Sequence, residues 1–237
     1  MFCGKRPVTD EHVVPRWLPS AIVQKRRRTI VHTYYGPASP VAERQWHSTD
    51  VNFKAKVVCR TCNNGWMNDL EQQNHLVPLI QGRLSTLSRQ RQRLAATWAF
   101  KTVLMFAFLE PPERRCIPSA HYRDLYQLQQ PPSPAVELWI GATKRAVGVW
   151  QHTRKLTLGL ASGVSADGYG ATLCVGHVVF QILGTEVEGG ASTKIRGDLA
   201  NVLWKIWPVG NYGLWPARVV LGTDDVPMLT EMFGSSL

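Results

Sequence analysis

The first stretch of the chain, MFCGKRPVTDEHVVPRWL (residues 1–18), combines a thiol, a carboxylate and an imidazole with few apolar residues between them. Cys3 stands in front of a basic turn, and Glu11 and His12 are adjacent. A second stretch, VVCRTCNNGWMNDLE (residues 57–71), adds two cysteines and an asparagine directly after them. These side chains bind metals and move protons in proteins, so the two stretches together predict a functional site near the start of the chain.

The cysteine spacing predicts a structural zinc site. Cys59-x-x-Cys62 is half of a tetrahedral site, placed at a predicted corner between a strand and a helix. Cys3, followed by a glycine and two basic residues, has the pattern of the second cysteine in another C-x-x-C pair. We expect an upstream start to supply the first cysteine of that pair as the fourth ligand. The alternatives are a histidine such as His32 or His47, a water molecule, or a decayed site.

Glu11, His12 and Asn63 predict a second site, at which catalysis takes place. A closed thiolate site leaves no position for a substrate, so a catalytic cation needs other ligands. The carboxylate oxygen of Glu11 and the amide oxygen of Asn63 are hard ligands that suit Mg²⁺ or a similar divalent cation. The imidazole of His12 can take a proton from water near neutral pH. Together such groups can hydrolyse a phosphodiester bond.

The order C…DEHVVPRWL…VVCRTCNNGW resembles the HNH endonuclease family, in the variant that has Asn after the last cysteine. Residues 3–71 carry the resemblance, which implies a ββα-metal fold with a zinc knuckle. It implies that Glu11 binds the catalytic divalent cation, that His12 is the general base, and that Asn63 is the second ligand of that cation. The counterpart of the family's middle asparagine, which orients the base, is predicted to be Asn52.

The positive charge is concentrated near these motifs. The formal charge is +10, and residues 1–101 hold 16 Lys and Arg against 6 Asp and Glu, whereas residues 102–237 hold 11 of each. A localised positive field attracts polyanions, so double-stranded DNA is the predicted partner; a solvated surface that only aids solubility is the alternative. The basic side chains predicted to hold phosphates are Arg16, Lys54, Lys56 and Arg60.

The remaining pattern predicts an α+β chain of two domains, residues 1–82 and residues 83–237. A helical pattern begins at Asn63 and runs to about Gln81, with Gly82 as its stop. A long buried helix is predicted over residues 88–110, capped by Ser88 and stopped by two prolines. Apolar runs punctuated by glycine from residue 136 onward predict the strands of an antiparallel sheet. Three of these strands are predicted between residues 136 and 161: VELWIGA, RAVGVWQ and KLTLGLA.

Composition and the apolar runs predict a soluble, cytoplasmic protein. The longest apolar run, residues 94–109, is interrupted by Lys101 and is shorter than the ~20 residues that span a bilayer. No apolar leader follows the first basic residues. Five cysteines, an odd number, argue against a disulfide framework, and Cys116 and Cys174 are expected to be buried apolar thiols.

Three functions follow from these motifs. The leading hypothesis is a metal-dependent DNA endonuclease with a catalytic divalent cation and a structural zinc ion. The second is a zinc-knuckle protein that binds nucleic acid without cleaving it, in which the Glu11–His12 pair is incidental. The third is an interaction protein that uses the fold structurally. The sequence leaves the oligomeric state and the role of residues 83–237 open.

Overall fold

The computed structural model describes residues 1–6, 8–22, 30–35, 42–48, 54–72, 75–159, 165–186, 199–216, 219–222, 225–226 and 229. Two of the predicted features lie outside this description: residue Asn52 and the side chains of His32 and His47. The described part of the chain contains both helices and strands, in runs of each type. The predicted α+β class is therefore confirmed at the level of mixed helix and sheet.

Two short antiparallel sheets open the chain. β1 (Val8–His12) pairs with β4 (Lys54–Cys59), and β2 (Ile30–Tyr35) pairs with β3 (Ala42–Ser48) in the segment between them. A short helix, α1 (Leu18–Ile22), follows β1. The pairing of β1 with β4 brings together the two stretches that carry the predicted functional residues.

A kinked helical segment follows β4 directly. It consists of α2 (Arg60–Cys62), a π-helical turn (Asn63–Met67) and α3 (Asn68–Gln72). Gly65 leaves the helical region in the middle of the turn, with φ −100° and ψ −120°. The segment therefore changes direction just after the cysteines rather than running straight.

The prediction of a single helix over residues 63–81 is wrong. α3 ends at Gln72, and a separate helix, α4, spans Leu76–Ile80. Pro78 lies in the first turn of α4, where its missing N–H is tolerated, but it prevents a continuous helix from passing through this point. Gly82 ends α4 as predicted, because it adopts a left-handed φ of 64° and its N–H bonds back onto α4.

The long buried helix predicted over residues 88–110 is α5 (Arg89–Ala107). Ser88 is its N-cap, as predicted, and its Oγ accepts a hydrogen bond from the backbone N–H of Arg91 at 3.3 Å. Every residue from Ala95 to the end of α5 is buried. A helix that is covered on all sides is the centre of a core rather than its edge.

An antiparallel sheet packs on α5. Its strands β6 (Val136–Gly159), β7 (Ser165–Thr185) and β8 (Leu203–Trp207) lie in the order β7-β6-β8. The sequence predicted three separate strands between residues 136 and 161, and this was wrong. β6 is one continuous strand because β7 pairs with it on both sides of an irregular stretch, where the register shifts between Ala142 and Val149.

The smaller elements complete the described chain. β5 (Ser85–Leu87) and β9 (Gly213–Trp215) pair as a two-stranded antiparallel sheet next to the start of α5. The other elements are a 3₁₀ turn (Pro112–Arg114), α6 (Ser119–Leu128) and α7 (Leu199–Val202).

One cluster of buried apolar side chains runs from Phe2 to Trp215, across the predicted boundary near residue 82. A second cluster, which includes Trp139 and Leu156, contains Leu221 from the C-terminal segment. The division into two domains stays a prediction. None of the helices in the described ranges is long and apolar enough to cross a bilayer.

Candidate functional site

The three cysteines predicted to bind zinc lie together. The Sγ atoms of Cys3, Cys59 and Cys62 are all within 4.8 Å of one another, and Cys3 Sγ lies 3.2 Å from Cys59 Sγ. Cys59 and Cys62 are buried, and Cys3 is half-buried. Three sulfur atoms that converge in this way form a ligand set for a soft divalent metal.

Local structure explains why these thiols converge. Cys59 is both the last residue of β4 and the N-cap of α2, so the tight turn into the helix brings the next cysteine beside it. The N-terminal segment is fixed against β4, because the Met1 amino group donates to a β4 carbonyl at 3.0 Å. The buried ring of Phe2 packs edge-on against Trp66, with 5.4 Å between ring centroids. These two contacts hold Cys3 over the turn.

The pKa values of the two buried thiols, Cys59 and Cys62, are shifted in opposite directions. Burial raises the pKa of Cys59, but hydrogen bonds from the Cys62 backbone and from the Cys3 thiol outweigh burial and lower the pKa to about 7. Burial raises the pKa of Cys62. A metal ion at the centre of the group would stabilise the thiolate forms. The group has three members among the described residues, so a tetrahedral ion needs one more donor.

Glu11 is a buried carboxylate on β1. It lies opposite Ala55 of β4, after a shift of register between Thr9 and Glu11. Burial raises the pKa of Glu11 to about 7, while the charge of Lys101 opposes this rise and the charge of Glu71 adds to it. A carboxylate removed from water in this way is stabilised when a cation binds to it.

His12 ends β1 and is only partly buried. It lies opposite Lys54 on β4. Burial lowers the pKa of His12, and the positive charges of Arg16 and Lys54 lower it further. The imidazole is therefore neutral near pH 7 and has a lone pair with which to accept a proton.

Asn63 follows the cysteines directly and contacts β1. Its Nδ2 donates a hydrogen bond to Thr9 Oγ1 at 3.0 Å, and the same hydroxyl donates to the carbonyl of Val58 at 3.0 Å. Because the amide nitrogen makes this hydrogen bond, the Oδ1 atom of Asn63 does not take part in it. Oδ1 is the atom that would bind a cation. Asn63 thus lies beside β1, two positions along the strand from Glu11. A cation shared by Glu11 and Asn63 stays a prediction.

An ion pair that the sequence did not reveal lies close to this site. The ammonium group of Lys101, in the middle of α5, pairs with the Glu71 carboxylate on α3, and the two side chains are 0% and 16% exposed. Trp17 Nε1 donates to the Glu71 carbonyl at 2.9 Å. Glu71 also lies in the first turn of α3, where a negative charge favours the helix dipole. The signal that pointed to a partner was a lysine inside an otherwise apolar run, since a fully buried lysine requires one.

The four basic residues predicted to hold phosphates are all exposed: Arg16, Lys54, Lys56 and Arg60. Two of them lie on β4, where they alternate with the buried Ala55. Arg16 and Lys54 are near enough to His12 to change its pKa. Two positive charges therefore lie near the imidazole, together with the negative charge of Glu71.

No model of a known protein family matches the chain, and neither curated proteins nor solved structures match it. The resemblance to HNH endonucleases is carried by the sequence motifs of residues 3–71. Membership of that family stays a prediction.

Proposed function

We propose that the chain is a metal-dependent endonuclease that hydrolyses DNA phosphodiester bonds, with His12 as the general base. The antiparallel pairing of β1 with β4 carries the proposal. It places Thr9, which Asn63 contacts, near the corner at Cys59, with Glu11 and His12 two and three positions farther along β1, opposite Ala55 and Lys54. The two stretches of the sequence pattern, separated by 38 residues, are thus joined by one pair of strands.

In this proposal the cysteine group, Cys3, Cys59 and Cys62, holds a structural zinc ion. The convergence of three sulfur atoms fits the donor set that zinc prefers. The first sheet of the chain, β1 with β4, is two-stranded and small. A metal ion that clamps it adds its binding free energy directly to folding. The ion therefore fixes the corner that carries Asn63.

Glu11 and Asn63 are the proposed ligands of a catalytic divalent cation such as Mg²⁺. The buried carboxylate of Glu11 fits this role, because burial without a cation is costly. The cation supplies Lewis-acid stabilisation of the charge that develops on the phosphate. His12, neutral and partly open to solvent, takes the proton from the attacking water. Arg16 and Lys54 attract the phosphate backbone to the imidazole.

A supercoiled-plasmid assay with Mg²⁺ or Mn²⁺ tests the proposal. His12→Ala should lower the nicking rate by about 10²–10⁴-fold, because a general base contributes about that much. It should leave DNA affinity within a few-fold. His152→Ala is the matched control, since His152 is an exposed histidine on β6, away from the pattern, and it should nick at the wild-type rate.

The same assay separates the competing function. DNA binding by the wild-type chain without nicking in either metal, unchanged by His12→Ala, would indicate a zinc-knuckle protein that binds nucleic acid without cleaving it. Nicking that persists in His12→Ala would remove His12 from the mechanism. Glu11→Gln gives a second test, because it should raise the Mg²⁺ concentration needed for half-maximal nicking as well as lower the rate.

A further inference from the structure

A surface outside the proposed active site combines exposed apolar and basic side chains. It is formed by β5, β9 and the first turns of α5. We call it the arginine–tyrosine patch, and its members are Arg83, Leu84, Arg89, Arg93, Tyr212 and Leu214.

One apolar member, Leu214, lies on the outer face of the β5–β9 sheet, and the other two, Leu84 and Tyr212, directly precede β5 and β9. Thr86 and Leu214 are directly opposite each other, so their side chains share one face, and both are exposed. Leu84, Tyr212 and Leu214 are 77%, 67% and 64% exposed, among the largest exposures of apolar residues in the described chain. Trp215 points to the other face and is buried. The sheet therefore has one face in the core and an apolar outer face.

Hydrogen bonds fix α5 against this sheet. Arg91 Nη1 donates to the carbonyl of Thr86 at 3.1 Å. The buried amide of Gln92 donates to the carbonyl of Asn211 at 2.6 Å and accepts the N–H of Gly210 at 3.0 Å. The loop that leads to Tyr212 is thus held at the first turns of α5.

Arg89 and Arg93 lie four positions apart on α5, so they stack on one face of the helix, and both are exposed. The positive charges of these two arginines do not stabilise α5. Positive charge in a first turn opposes the helix dipole, and like charges at this spacing repel. No acid balances them in the first turn.

The surrounding sequence is free of carboxylates. Residues 72–109 contain four arginines and one lysine but no Asp or Glu, and residues 199–222 also contain neither acid. Both segments that build the patch therefore carry charge of one sign. Such a surface complements a polyanion, and the exposed tyrosine and leucines complement something flat and apolar. A single strand of nucleic acid presents both properties, since its phosphates are charged and its unpaired bases can stack.

We propose that the arginine–tyrosine patch binds single-stranded nucleic acid, with phosphates on Arg89 and Arg93 and a base stacked on Tyr212. The inference rests on the proposed function only in taking nucleic acid as the partner, and binding at the patch does not require that the chain cleaves DNA. A duplex fits less well, because its bases are already stacked and offer the apolar side chains no flat surface.

Binding is measured by fluorescence anisotropy with a labelled oligothymidylate of about 16 nucleotides, a length that covers a typical site. The protein carries His12→Ala, and no Mg²⁺ is added, so cleavage does not affect the signal. Tyr212→Ala should weaken binding about 5–150-fold, the range expected for the loss of one stacked base. Tyr212→Phe, which keeps the ring, should bind within about twofold of the parent protein.

The phosphate contacts are tested by salt dependence. The double variant Arg89→Gln, Arg93→Gln should reduce the slope of log affinity against log salt by about 1.4, since each contact to a single strand contributes about 0.7. The control is Lys144→Gln, Arg145→Gln, two exposed basic residues on β6, which should leave the slope unchanged. Circular-dichroism melting of each variant confirms that these exposed substitutions leave the fold intact.

Three results would overturn the inference. The first is unchanged affinity for oligothymidylate in Tyr212→Ala. The second is an equal loss on a duplex of the same length, which would indicate a surface that contacts phosphates alone. The third is Tyr212-dependent binding of a polyglutamate peptide without binding of oligothymidylate, which would assign the patch to an acidic protein partner. Tyr212-dependent strand binding by a chain that does not nick plasmid would refute the nuclease and leave this inference standing.

Discussion

Replacing Lys101 by methionine should destabilise the folded chain strongly. The substitution keeps the apolar stem of the side chain and removes the ammonium group that pairs with Glu71. Since Lys101 is 0% exposed and Glu71 is 16% exposed, the Glu71 carboxylate would be left largely buried and without its partner. Breaking such a buried pair on one side costs about 3–5 kcal/mol. For a chain of 237 residues this corresponds to a fall in Tm of roughly 6–20 °C, at about 2–4 °C per kcal/mol.

The measurement is urea unfolding of four proteins: wild type, Lys101→Met, Glu71→Gln and the double variant. Because the double variant leaves no unpaired charge in the pair, it should recover part of the loss, with a coupling free energy of about 2 kcal/mol or more. The control is Lys155→Met, which removes the exposed ion pair with Asp167 and should leave the unfolding midpoint unchanged. A cost of less than about 1 kcal/mol for Lys101→Met, or purely additive single variants, would refute the reasoning.

Three further predictions concern other parts of the chain. Cys59→Ser should abolish bound zinc, measured by elemental analysis, and lower the Tm, whereas Cys174→Ser, a buried thiol outside the cysteine group, should retain the metal. Burial and a nearby arginine lower the pKa of His75 from 6.5 to about 4, so the neutral form is favoured in the folded chain. The contribution of His75 to stability is therefore present above pH 6.5 and is lost as the pH falls toward 4. The free energy of unfolding, measured in urea, should fall less between pH 7 and pH 5 for His75→Gln than for the wild type. Gly184→Ala should cost about 1–3 kcal/mol or more in urea unfolding, because its Cβ would come within 2.1 Å of a buried tyrosine ring, whereas Gly148→Ala, with no heavy atom within 4 Å, should not.

The sequence predicted those parts of the fold that depend on local signals. Ser88 and the prolines after residue 110 predicted α5 because caps and breakers act within one turn of the helix they bound. The corner at Cys59 was predicted because the C-x-x-C spacing requires a tight turn. Gly82 was predicted as a stop because glycine adopts the left-handed conformation without steric cost.

The predictions that failed depended on distant partners or on a competing local rule. β6 was divided at two polar stretches, residues 143–144 and 152–154, but pairing with β7, a partner distant in sequence, extends the strand through both. The long helix after Asn63 was predicted from apolar spacing alone, and Pro78 was not weighed against it. The Lys101–Glu71 pair joins residues thirty positions apart, and no local pattern identifies which acid a buried lysine meets.

The placement of Lys101 has a consequence for any attempt to dissect the chain. A fragment cut at residue 82 would keep the cysteines and the Glu11–His12 pair but would lose the cation that neutralises Glu71. It would also lose Tyr122, whose ring lies 6.2 Å from that of Phe2, the residue next to the first thiol. Transplanting the motif-bearing segment onto another scaffold would therefore require a surrogate for α5, with a buried positive charge at the matching depth.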